Sequence, residues 1–61
     1  MSTIFKISYE HQASGHLQAA EVLLESEGEP TQEAVQDAVR KDLAKHADTA
    51  DFSVVSVAPY P

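Results

Sequence analysis

One stretch of this sequence, Thr31 to Ala47, combines a helix start signal with an unambiguous apolar period. Thr31 follows Pro30, and its hydroxyl is placed to accept from a backbone N–H two or three residues on, as N-cap side chains do. Pro30 pushes Glu29 toward an extended backbone, so the helix does not start earlier. Glu33 falls in the first turn, where the positive end of the helix dipole favours it. Lys41 and Lys45 fall toward the other end, where cations are favoured. Ala34, Val35, Ala38, Val39 and Leu43 recur at spacings of three and four and build one apolar stripe. On its flank Asp37 reaches Arg40 or Lys41, for about 0.3 kcal/mol. Two valines, one leucine and small alanines are too thin a stripe to hold a helix alone in water. Small side chains permit close approach, so the expected support is a sheet.

Asp42 and His46 break the pattern, projecting four residues apart from near the middle of the stripe. A carboxylate at that spacing would orient and charge the imidazole. The commoner arrangement, and the one expected, has the last turns overhanging the sheet with both groups solvated.

Thr3 to Tyr9 alternates as a strand, with Thr3, Phe5, Ile7 and Tyr9 on one face and Ile4, Lys6 and Ser8 on the other. Glu10 to Gly15 reads as a turn region with its tip at Ala13-Ser14-Gly15, where Gly15 is free to take a positive φ. Leu17 to Glu25 is ambiguous. Its Ala, Leu and Glu content favours helix by propensity, which would give a β-α-α-β layout. A strand places Ala20, Val22 and Leu24 inward and closes a hairpin with Thr3–Tyr9, and this is the reading adopted. Ser26 to Pro30 is a Glu-rich connection, and Asp48 to Asp51 a short turn. Phe52 to Ala58 is the last strand, rich in Val, and Pro59-Tyr60-Pro61 stops it.

The expected fold is therefore a single α+β domain spanning 1–61, ordered β-β-α-β. The helix lies on one face of a three-stranded mixed sheet of spatial order 2-1-3, with the last strand parallel to the second and antiparallel to the first. A right-handed crossover is the default for such a connection. One helix covers one face only. Depending on the register of the last strand, Val55 and Val57, or Phe52 and Val54, join Ile4 and Leu23 on the uncovered face. An apolar patch of that kind marks an interface.

Composition narrows the function. A chain of 61 residues buries only about 60% of its unfolded surface and needs support from disulfides, metal or association. Cysteine is absent, which removes disulfides and Cys-ligated metals. His11 and His16 flank the hairpin tip without a third ligand, so an exposed loop is expected there and no metal or other cofactor. A formal charge of −6 opposes direct nucleic-acid binding and docking on an anionic membrane. No apolar run approaches a membrane span and no leader is visible, so a cytoplasmic location is expected. Gly15 and Gly28 lie too far apart for a phosphate loop, and so small a chain does not readily enclose a catalytic cleft.

Two functions follow as expectations. The first is a small, acidic, non-enzymatic interaction module, a homodimer through Ile4, Leu23, Val55 and Val57 whose free edges or helix face bind another intracellular protein. The second is an acidic inhibitor or decoy of the phage or mobile-element type, a nucleic-acid mimic for a nucleic-acid-binding protein. Its motive is Glu21, Glu25, Glu27 and Glu29, which line one side if the second strand runs on.

Overall fold

A computed structural model describes residues 1–45 and 51–60. Strand β1 spans Thr3–Ala13, β2 His16–Ser26, helix α1 Gln32–Leu43 and β3 Phe52–Pro59. The sheet runs β2-β1-β3 with β1 antiparallel to both neighbours. This is the α+β fold and strand order expected from the sequence. Residues 17–25 are strand, so the β-α-α-β alternative is set aside.

The hairpin is longer than its sequence suggests. β1 continues past Tyr9 to Ala13, and the turn shrinks to Ser14-Gly15. Both take positive φ, 52° and 81°. A two-residue connection with positive φ at both positions matches the right-handed twist of the flanking strands. Glycine was expected to supply this conformation, and serine shares it. Each strand of the hairpin has 11 residues, roughly 36 Å at about 3.3 Å per residue. The helix has 12 residues, roughly 18 Å at about 1.5 Å per residue. It therefore covers about half the hairpin's length, and Leu17 at the overhanging tip is 61% exposed.

Helix α1 starts where the sequence indicates. Thr31 is extended (φ −71°, ψ 160°), and its Oγ1 accepts from the Ala34 N–H at 3.1 Å. Glu33 sits in the first turn, and Asp37 lies 3.8 Å from Arg40 and 3.7 Å from Lys41. The end comes earlier than expected. The helix stops at Leu43, with Ala44 as C-cap and the Lys45 N–H turning back to the Asp42 carbonyl at 3.2 Å. Leu43 is the last large apolar residue before Phe52. Ala47, the expected end, lies outside the described residues.

The core joins Phe5, Ile7 and Tyr9 of β1 to Val35, Val39 and Leu43 of α1. Ala20, Val22, Leu24, Ala38 and Phe52 pack around this centre. Each full burial of a residue such as Ile7 or Leu43 stabilises by about 1.5–3 kcal/mol.

β3 departs from simple alternation. Ser8 pairs with Ser56 but Tyr9 pairs with Val54, which leaves Val55 as the extra residue of a β-bulge. Directly paired residues share a face of the sheet. Val57, opposite Ile7, and Val54, opposite Tyr9, therefore both lie on the helix side, although three residues apart. This corrects the expectation that Val57 joins Ile4 and Leu23 on the uncovered face. Strict alternation cannot hold across an inserted residue.

Candidate functional site

Two regions of the structure gather candidate functional side chains. The first is the junction of β1 with the end of α1. Inward-facing β1 positions bury Tyr9 and His11, and the last turn of α1 brings Asp42 to Tyr9. The Tyr9 hydroxyl donates to Asp42 Oδ2 at 2.6 Å. Its ring lies 5.9 Å from the His11 ring and meets Phe52 edge to face at 6.4 Å. Asp42 is half-buried rather than solvated, because β1 runs beneath the helix end instead of stopping short of it. His46, its expected partner, lies outside the described residues.

His11 is a second correction. It is 4% exposed inside a strand, not on an open loop, because the turn is only two residues long. His16 is exposed at the start of β2 and pairs with Ala13, while His11 pairs with Gln18. Among the described residues no group of three or more metal-ligating side chains gathers. Tyr9 was legible as an inward position, but its bond to Asp42 was not. A polar residue in an apolar stripe, opposite an inward tyrosine, is the signal that points to such a pair.

Electrostatics indicate what this junction can do. Burial, and then the hydrogen bond to Asp42 and its charge, push the Tyr9 phenol up from 10.0 to about 12. A phenol so held stays protonated and donates. A proton acceptor near neutral pH requires the opposite shift. The arrangement is a clasp between sheet and helix.

The second region is β3. Seven of its eight residues are exposed, and only Phe52 is half-buried. The helix packs mainly on β1 and β2, so the inward valines of β3 are only partly covered. Val54 is 39% exposed and Val57 38%. Together with Pro30, Gln32, Val35 and Gln36 they line an open groove, with Glu29 at its margin.

On the other face Ile4 and Leu23 are exposed as expected, and the position between Leu23 and β3 is taken by Lys6, opposite Leu23 on one side and Ala58 on the other. Lys6 lies among them, 2.9 Å from Glu21 and under the Tyr60 ring at 6.0 Å. The bond to Glu21 and its charge raise the Lys6 ammonium above its ordinary value.

The expected acidic row is divided. Glu21 pairs with Lys6, and Glu25 Oε2 accepts from the Ser2 hydroxyl at 2.7 Å. β2 ends at Ser26, so Glu27 lies beyond the strand and Glu29 borders the groove beside the helix. Glu21 and Glu25 thus lie on β2, and Glu27 and Glu29 past its end.

No family model, no curated protein and no solved structure matches this chain. No described helix is long and apolar enough to cross a membrane.

Proposed function

We propose that this protein is a small acidic interaction module without enzymatic activity, and that its working form is a homodimer. One observation carries the reading: β3, a valine-rich strand, is largely exposed and, among the described residues, forms an edge of the sheet with no further strand beside it. An apolar strand so placed is costly in water and invites another chain. The short list of buried side chains supports the same reading, since association would add the burial that the helix does not supply. A charge of −6 per chain opposes self-association, so salt should strengthen it by screening.

Sedimentation equilibrium across the micromolar range, at low and high salt, is the test. A mass of two chains that tightens with salt supports the module as a homodimer. A single-chain mass under all conditions, with the fold intact, removes the homodimer from the reading.

A further inference from the structure

Among the described residues no strand pairs with the outer edge of β3, and that edge is suited to a second copy of itself. The Tyr60 N–H donates to the Ile4 carbonyl at 2.7 Å. In the antiparallel ladder that continues from this bond, residues alternate between pairs that exchange hydrogen bonds and pairs that do not. Residues 60, 58 and 56 thus point their backbone groups at β1. Val57 and Pro59 point theirs away, to the free edge. Pro59 is tolerated there because the N–H it lacks would have faced outward. Val57 presents both a donor and an acceptor.

The side chains favour the same edge. From Phe52 to Tyr60 no residue is charged at neutral pH, in a chain of net charge −6. The opposite edge of the sheet, β2, carries Glu21 and Glu25, which would confront like charges in a self-paired dimer. β3 is therefore the edge on which two acidic chains meet without opposing carboxylates.

We propose that two copies join through antiparallel β3–β3 pairing, with the two-fold axis beside Val57. Each Val57 N–H then donates to the second copy's Val57 carbonyl. This rests on the homodimer reading and states where its interface lies. The result is one continuous sheet, β2-β1-β3 running on into the second copy's β3-β1-β2. An axis perpendicular to the sheet keeps both helices on the same face and makes the contact isologous. The open groove beside each helix becomes half of a shared trough, floored by Val54 and Val57 of both copies. The bulge at Val55 is what brings those two valines to that face together.

Amide exchange measured residue by residue on samples of known mass tests the arrangement. In a sample that sediments as a dimer, the Val57 amide should exchange at least about tenfold more slowly than in one diluted to monomer. Ala58 and Tyr60, bonded to β1, should be protected in both. Val57→Pro removes the outward donor and should yield a folded monomer. A dimer with an unprotected Val57 amide would overturn the edge pairing and leave the homodimer standing, built on another surface. A folded monomer at every concentration would overturn both. If Val57→Pro does not fold, the exchange of the unaltered protein decides alone.

Discussion

The hydroxyl of Tyr9 donates to Asp42 Oδ2 at 2.6 Å and ties the middle strand of the sheet to the last turn of the helix. Tyr9 is fully buried and Asp42 half-buried, so the two partners should respond differently to removal. Asp42→Ala takes the acceptor from a buried phenol and should cost about 1–3 kcal/mol. Tyr9→Phe leaves a carboxylate that water can reach, and should cost less, about 0.5–1.5 kcal/mol. The double variant should be less damaged than the sum, because one bond is lost and not two. Urea unfolding of the four proteins measures this. Strict additivity would show that the bond contributes nothing.

The same clasp gives the protein an alkaline limit. The Tyr9 phenol holds its proton up to about 12 in the folded chain, against 10.0 when free. Between those values the unfolded chain has released a proton that the folded chain keeps. Stability is thus fully present below pH 10 and falls as pH rises toward 12. A Tyr60→Phe background leaves Tyr9 as the sole tyrosine, since the chain has two. Tyrosinate absorbance in that variant should then rise late and together with loss of the fold. An early rise in a folded protein would mean that the phenol is open to water.

The hairpin turn can be improved. Ser14 occupies the left-handed region at φ 52°, which costs an ordinary residue about 1–2 kcal/mol. Asparagine tolerates that conformation and is favoured before glycine in two-residue turns. Ser14→Asn should therefore raise stability, by about 0.5 kcal/mol. A drop in thermal midpoint would mean that the serine side chain has a role the turn geometry does not reveal.

Where the sequence was informative, a residue's local chemistry admitted one structure. Thr31 after Pro30 marks the helix start because both act on neighbouring backbone, and Thr31 does cap it. Phe5 and Ile7 opposite Leu24 and Val22 follow from alternation across an uninterrupted ladder. The misses arose where partners were distant. Val54, Val55 and Val57 fit either register, and only pairing with β1 reveals the inserted residue. His11 looks like a loop residue until the turn is known to consume only Ser14 and Gly15. Asp42 looks solvated until Tyr9 is beneath it. The open groove beside β3 depends on where the helix lies across the sheet, which no local signal encodes.

One substitution at two valines separates the core of a single chain from the surface that a second chain would cover. Val39 is fully buried between helix and sheet. Val39→Asp places a carboxylate there without a partner and should unfold the chain outright, since such burial costs several kcal/mol or forces the group to take up a proton. Val54 faces the same side of the sheet, opposite Tyr9, but is 39% exposed beside the helix rather than beneath it. Its carboxylate variant can keep its charge in water within the single chain. Val54→Asp should therefore retain the circular dichroism of the folded protein, with a stability loss of about 1 kcal/mol. In a dimer paired through β3, however, it puts an unpaired carboxylate at each end of the apolar trough, and the mass should fall toward that of one chain. Circular dichroism and sedimentation on the same samples distinguish the cases. If Val54→Asp unfolds as Val39→Asp does, the β3 valines belong to the core of the single chain. If it stays folded and fully dimeric, the second copy does not cover Val54.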